Sequence, residues 1–313
     1  MGAISSLPFH WRNMLVQQLI NGLTLGSVYA LIALGYTMVY GIIELINFAH
    51  GEIYMLGAYM GIITFSLLTT LHLTSPTSGV TLLIMMIVAV LFCGAFGVTM
   101  ERVAYRPLRG ASRLSPLISA LGVSIFLQNF VMLAQGPRDK GFPHLFSGGG
   151  IDFPGGRISA IQIFIMLTTV VIMVALQLLV HRTKIGKAMR ATAQDKQMAS
   201  LVGIDVDWVI SATFLIGSAL AAVAGVMVGM YYGLINFFIG YIAGIKAFTA
   251  AVLGGIGNIP GAMLGGLLLG LIEALGAGYI SSEYKDVFAF AILVLVLIFR
   301  PSGLLGEDIS KRV

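Results

Sequence analysis

Long apolar runs without acidic or basic residues, separated by short polar segments, dominate this chain. A helix needs about 20 apolar residues to cross the roughly 30 Å hydrocarbon core of a bilayer. The apolar-polar alternation of a β-barrel is missing, so the pattern predicts an all-α polytopic bundle whose helices satisfy their own backbone groups. The charge-free runs are Met14–Ile43, Ile53–Met100, Leu114–Pro137, Ile158–Val180, Trp208–Ile245 and Ala247–Ile272.

The loops divide these runs and predict about eight to ten membrane segments in one domain over residues 1–313. The stretch Met14–Ile43 is one helix if the N-terminus is outside, or two if Asn21-Gly22 and Gly26 break it. No removable signal peptide is expected, because the N-terminus lacks a basic region and a small-residue cleavage site. Further helices are expected over approximately 80–101, 114–135, 158–181, 208–231, 240–256, 260–279 and 286–300.

Composition agrees with a membrane protein. Charged residues make up 10% of the chain, against about 25% in soluble domains, and the mean hydropathy is +0.96. The net charge of +5 is confined to short loops between apolar runs, which is the positive-inside pattern and not a nucleic-acid surface. Segments Gly136–Arg157 and Ser281–Asp286 suit the outer face, and the C-terminus is expected in the cytoplasm. The cytoplasmic loops hold Arg102, Arg106, Arg109 and Arg113, and Arg182, Lys184, Lys187, Arg190 and Lys196.

One stretch, His181–Ile204, looks like the surface of a soluble protein. It is polar and helix-forming, and it lies between two charge-free runs. A cytoplasmic loop over about residues 182–206 therefore predicts a partner in the cytosol.

The two halves of the chain share a short pattern. Tyr40-Gly41 leads through Ile46-Asn47-Phe48 to Gly51, and Tyr232-Gly233 leads through Ile235-Asn236-Phe237 to Gly240. Internal repeats with helices broken near the midplane are common in transporters. The pattern indicates an inverted repeat, although chance explains so short a match equally well.

A polar break, Asn47–Glu52, interrupts the apolar pattern with Asn47, His50 and Glu52. Such a break at membrane depth is tolerated only inside protein or beside a water-filled cavity. Two interpretations remain open and compatible: these residues line a translocation path, or Asn47 caps a helix whose first turn holds Glu52.

Two charges, Lys246 and Glu273, lie within apolar runs. If Ile256–Pro260 is the turn of a helical hairpin, they lie roughly 18 and 22 Å from it at 1.5 Å per residue. We therefore expect an intramembrane ion pair that fixes helix register, with substrate contact by Lys246 as the alternative. Close helix packing is expected at the glycine pairs Gly261/Gly265 and Gly266/Gly270.

Motifs for chemistry are missing from the sequence. Gly186-Lys187 is followed by Ala188 without a Walker A pattern, the five histidines are scattered, and Cys93 is the single cysteine. We expect no ATP site, no metal site, no disulfide and no bound cofactor on this chain.

Four segments carry a resemblance to a known family: Leu31–Glu52, Glu101–Pro107, Lys246–Ala262 and Glu283–Asp286. They resemble the branched-chain amino-acid ABC permeases of the LivH type, over about residues 17–306. The resemblance implies a bacterial inner-membrane subunit with a homologous second permease, two cytoplasmic ATPase subunits and a periplasmic binding protein. Leucine, isoleucine and valine are the implied substrates, and ATP is used by the partners.

The segment Gln197–Gly203 resembles the EAA coupling loop of ABC permeases, although Gln197 and Met198 replace its first two residues and its later proline is missing. The resemblance places a short helix over Lys187–Gly203 in a groove of the ATPase. It assigns coupling to Ala188, Ala191, Gln197, Met198, Ala199 and Gly203. Pathway residues are expected at Asn47, His50, Glu52, Asn236 and Lys246.

Other functions compete with this one. A secondary transporter or channel would explain Lys246 and Glu273 but leaves the cytoplasmic loop without a role. A membrane-embedded enzyme lacks a cluster of acid, base and nucleophile. Permeases for urea or short amides share parts of Asn47–Glu52, so the substrate follows from family likeness alone.

Overall fold

The computed structural model describes residues 9–73, 79–112, 114–146, 148–153 and 155–306, with side chains from Met14 onward. Arg113 lies outside these ranges. So do residues 1–8, on which the signal-peptide expectation rests, and residues 307–313, on which the expected position of the C-terminus rests. The helices are α1 (Phe9–Ile43), α2 (His50–Thr70), α3 (Gly79–Met100), α4 (Leu114–Gln135), α5 (Ala160–Arg182), α6 (Lys184–Gln194), α7 (Lys196–Leu201), α8 (Val206–Tyr232), α9 (Ile239–Gly254), α10 (Ile259–Tyr279) and α11 (Lys285–Phe299).

Four short strands accompany the helices, where the sequence indicated only loops. Strand β1 (Lys140–Gly141) pairs antiparallel with β4 (Leu234–Ile235), and β2 (Gly150–Phe153) pairs with β3 (Gly156–Ser159). The backbone after α3 continues as a π-helical turn and a 3₁₀ turn up to Leu108.

The predicted all-α membrane fold is confirmed. Seven helices of the described chain are long and apolar enough to span a bilayer. The described part also contains a shorter apolar helix, α9, and the 15-residue helix α11.

The bundle has two distinct ends. Helix α8 has 27 residues, a length of about 40 Å, and separates α7 from β4. Helix α5 likewise separates β3 from α6. We call these the strand end and the α6 end. The N-terminal part of α1 lies at the strand end, where Gln17 Oε1 accepts a hydrogen bond from the Arg157 backbone nitrogen at 2.9 Å.

Helix α1 is one continuous helix, so the interpretation that Asn21-Gly22 and Gly26 break it is wrong. These glycines are packing positions instead. A Cβ on Gly22 would lie 2.8 Å from the Leu271 Cα, and a Cβ on Gly26 would lie 2.8 Å from the Leu267 Cα. The lack of side chains lets the backbones of α1 and α10 approach each other closely.

The glycine pairs of α10 face two different helices. Gly266 and Gly270 pack on α1, whereas Gly261 and Gly265 pack on α9. The turn between α9 and α10 covers residues 255–258 and ends at Asn258, whose Oδ1 accepts from the Gly261 nitrogen at 2.9 Å. This Asn258 cap starts α10 directly after the turn.

The helices pack reciprocally between the two halves. Helix α1 packs on α10 and α9, and its counterpart α8 packs on α3 and α2. Helices α2 and α9 also contact each other at their first turns, where a Cβ on Gly240 would lie 2.7 Å from the Gly51 carbonyl oxygen. From this meeting point α2 runs toward the strand end and α9 toward the α6 end. This reciprocal packing is the pattern that the predicted inverted repeat would give.

Candidate functional site

The segment between α1 and α2 turns back into the bundle instead of crossing its surface. Asn47, His50 and Glu52 are all buried. Asn47 is not the residue that caps α2, because that position is Ala49. The Asn47 Oδ1 accepts from the Ala49 nitrogen at 3.0 Å and from the Tyr105 hydroxyl at 2.6 Å. It thereby closes the turn before α2 and ties it to the π-helical turn that follows α3.

His50 fills the gap between α2 and α1. Its ring meets the Tyr36 ring edge-on, with centroids 4.8 Å apart. The imidazole lies directly against Gly35, where a side chain would clash. The His50 side chain is therefore packed into the contact between these two helices.

Glu52 joins three helices. Its Oε1 accepts hydrogen bonds from Ser124 Oγ at 3.0 Å and from Gln128 Nε2 at 2.8 Å, both on α4. Its Oε2 has no hydrogen-bond partner in the described part of the chain and faces Gly240 in the first turn of α9. A carboxylate is favoured there, because the first turn of a helix carries partial positive charge.

Asn236 repeats the turn of Asn47 at the strand end. Its Oδ1 accepts from the Phe238 nitrogen at 3.0 Å, and its Nδ2 donates to Asp139 Oδ1 at 3.2 Å. The structure thus places Asn236 near the loop after α4, away from Asn47. The two asparagines occupy matching positions in the two repeats.

Lys246 and Glu273 are in contact. Lys246 Nζ lies 2.7 Å from Glu273 Oε1, and both side chains are almost fully buried. Two further residues complete the cluster. Tyr29 donates its hydroxyl to Glu273 Oε2 at 2.8 Å, and Lys246 Nζ lies 2.5 Å from Asp286 Oδ1 on α11. Asp286 was not identified as a site residue from the sequence, because it ends the polar segment Ser281–Asp286, which was expected to be a loop on the outer face.

The segment between α5 and α8 contains two helices, so the single helix expected over Lys187–Gly203 is wrong. Thr183 caps α6, with its Oγ1 accepting from the Gly186 nitrogen at 3.1 Å. Asp195 interrupts the helix and caps α7, with its Oδ1 accepting from the Gln197 and Met198 nitrogens at 2.8 and 2.9 Å. An aspartate that caps a new helix satisfies amides that one continuous helix would bond internally.

The residues expected to couple to an ATPase divide between two faces. Ala199 is buried within this chain, and Ala188 and Ala191 are half-buried. Gln197, Met198 and Gly203 are exposed, and Gly203 has a φ of +88°. Ala199 therefore packs on the bundle and is not available for contact with another subunit.

Sequence reasoning missed two residues at this surface. Leu201 and Val202 are 81% and 77% exposed, and Met198 beside them is 61% exposed. An apolar pair within a charged loop was the signal that could have identified them. We call Met198, Leu201 and Val202 the α7 patch.

A salt-bridge network supports the α6 end. Buried Glu101 is paired with Arg109, and its Oε2 accepts from Ser211 Oγ at 2.7 Å. Asp207, at the start of α8, is paired with Arg109 at 2.5 Å and also with Arg106. These bonds hold the segment after α3 against the start of α8, which also contacts α6 and α7.

The hollow next to the polar break is very small in this conformation. It measures about 10 Å³ and is lined by residues of α1, α9 and the segments beside them. One water molecule needs about that much space. A solute as large as an amino acid does not fit there without a rearrangement or a second subunit.

The chain matches a known protein family over residues 18–297, described as the permease component of the branched-chain amino acid transport system. No solved structure matches the chain.

Curated relatives agree with the family. The high-affinity branched-chain amino acid transport system permease protein BraD of Pseudomonas aeruginosa is 55% identical over 302 residues, covering 95% of this chain and 98% of the relative. The permease protein LivH of Escherichia coli is 52% identical over 303 residues, covering 95% and 97%. The permease protein LivM of Escherichia coli is 25% identical over 329 residues, covering 97% of this chain and 73% of the relative.

Proposed function

The chain belongs to the branched-chain amino acid permease family and is an ABC-type permease; from this premise we propose that it forms half of the solute path of an importer for leucine, isoleucine and valine. The α7 patch is the observation that carries this proposal. Three exposed apolar side chains in a charged loop are costly in water and suit contact with another protein.

We propose that the protein lies in a bacterial inner membrane with its α6 end on the cytoplasmic side. Arg106, Arg109, Lys187 and Arg190 all belong to loops and helices at this end. The backbone of Leu305 bonds to Gly254 at the same end, which supports a cytoplasmic C-terminus.

The proposed assembly contains a homologous second permease, two ATPase subunits, one of which docks on the α7 patch of this chain, and a periplasmic binding protein. Two relatives, LivH and LivM, are both named permease proteins of the high-affinity branched-chain amino acid transport system of Escherichia coli. This chain resembles both, which favours a pair of related permeases. ATP is then hydrolysed on the partner subunits, and this chain holds no cofactor.

Purification from mild detergent, followed by reconstitution in liposomes, tests the proposal. We expect two ATPase subunits and a second permease to copurify. We also expect labelled leucine to accumulate only when ATP is present on the side of the membrane that carries the ATPase subunits. Uptake of urea or short amides in place of leucine would contradict the substrate, and uptake without ATPase subunits would contradict the ABC mechanism in this assembly.

A further inference from the structure

We propose that Asp286 and Lys246 form a binding site for the zwitterion of an amino acid, with Asp286 receiving the α-ammonium group and Lys246 the α-carboxylate. The inference rests on the proposed function, since it identifies where this permease recognises its substrate. Its basis is the composition, burial and surroundings of one cluster.

The cluster holds more negative charge than a structural ion pair needs. Lys246 and Glu273 alone would be neutral, and they already contact each other at 2.7 Å. Asp286 adds a second carboxylate to the same ammonium group at 2.5 Å. The excess negative charge favours a further cation, and an α-ammonium group supplies one without burying a free ion.

Asp286 is the most exposed of the three charged residues of the cluster, and its side chain forms the opening of the cluster. Its side chain is 39% exposed, whereas those of Lys246 and Glu273 are 4% and 3% exposed. It is the second residue of α11 at the strand end, which is the outer face in the proposed orientation. An arriving amino acid therefore meets Asp286 before it reaches the buried Lys246.

One aromatic side chain lies near this opening. Tyr232, the last residue of α8, is exposed and lies close enough to Glu273 and Asp286 to interact electrostatically with both. An aromatic ring next to paired charges suits a zwitterion with an apolar side chain.

The start of α9 gives an independent reason to place the solute here. Helix α9 begins inside the bundle, where its first turn meets that of α2. Exposed irregular backbone at such a depth is tolerated only against protein or a water-filled cavity. The exposed side chains of Phe238, Tyr241 and Ile242 therefore face either the aqueous path or the second permease.

The alternative role of Asp286 is structural: a carboxylate in the first turn of α11 stabilises that helix through its dipole. The substitution Asp286→Asn separates the two roles, because it keeps the shape and removes the charge, while Asp286→Glu keeps the charge. Uptake is measured on the reconstituted complex with its binding protein and expressed per amount of assembled complex, so that a loss of folding is divided out.

We expect Asp286→Asn to lower leucine uptake at least tenfold and Asp286→Glu to recover most of it. Glu283→Gln is the matched control, because it neutralises an exposed carboxylate in the same connection and is expected to leave uptake unchanged. Uptake by Asp286→Asn at the unmutated rate overturns the inference. If the unmutated complex takes up no branched-chain amino acid, the proposed function fails instead.

A reporter cysteine detects occupation of the site directly. Val287→Cys in a Cys93→Ala background places an exposed thiol beside Asp286. We expect leucine to slow its alkylation severalfold, 4-methylpentanoate, which lacks the ammonium group, to have no effect, and Asp286→Asn to abolish the protection by leucine. Equal protection with and without Asp286→Asn, or no protection by leucine in the unmutated site, overturns the inference.

Discussion

The Glu52 carboxylate of α2 lies against Gly240, in the first turn of α9. A Cβ on Gly240 would lie 2.5 Å from Glu52 Oε2. The Glu52 carboxylate also accepts two hydrogen bonds from α4. It therefore connects α2 and α9 to α4, and the contact depends on the absence of a side chain at residue 240.

Gly240→Ala is expected to destabilise the permease, although alanine is the better helix former. The added methyl meets both Glu52 and the Gly51 carbonyl oxygen, and overpacking of this kind costs about 1–3 kcal/mol. Thermal unfolding in detergent measures the effect. The control is Gly122→Ala in α4, where a Cβ meets nothing within 4 Å; it should leave stability unchanged or raise it by up to about 1 kcal/mol. Equal behaviour of the two variants would contradict the close contact.

Lys246→Met is expected to reduce the amount of folded permease more than Lys246→Met combined with Glu273→Gln. Removing Lys246 alone leaves Glu273 buried without its cation, which costs about 3–5 kcal/mol. The double variant has no buried charge at these two positions, and the amide at residue 273 can still accept from Tyr29. Membrane abundance and thermal unfolding are the measurements. A double variant no better than the worse single variant would show that the two residues are not energetically coupled.

Much of the fold could be predicted from the apolar pattern, because each membrane helix has to satisfy its own backbone. The Lys246–Glu273 contact could be predicted as well, since two charges at similar depths on neighbouring helices have few other partners. The third member, Asp286, could not, because nothing in a polar loop tells which charge turns inward. Depth along a helix can be counted from the sequence, whereas the contacts of a loop follow from tertiary packing.

Helices α6 and α7 show the same limit. The sequence indicated a helical segment but neither its break at Asp195 nor the face that packs on the bundle. Ala199 looked suited to contact with another subunit and is buried in this one, whereas Leu201 and Val202 are exposed. Six residues are too few for an apolar period to identify a buried face.

Cysteines at Asn47 or His50 are expected to be protected from a water-soluble thiol reagent in the conformation described, and to react during ATP turnover if this segment lines the path. Both positions are buried, and the hollow beside them is about the size of one water. The background is Cys93→Ala, and a cysteine at exposed Asp152, at the strand end, is the control that should react in every state. Complete protection in all states would leave Asn47 with the role of closing the turn before α2 and no role in the path.

Leu201→Asp is expected to abolish uptake while the permease still inserts in normal amounts. Leu201 contributes the most exposed side chain of the α7 patch, so a charge there does not disturb the bundle but opposes burial against an ATPase subunit. Leu201→Met is the matched control, since it keeps an apolar side chain of similar volume and should retain uptake. Copurification of the ATPase subunits, together with ATP hydrolysis stimulated by the binding protein, separates lost docking from lost insertion. Ala199→Glu, in contrast, should lower the amount of folded permease, because residue 199 is buried within the chain. Full uptake by Leu201→Asp would show that the α7 patch is not the coupling surface and would favour a transporter driven without ATPase subunits.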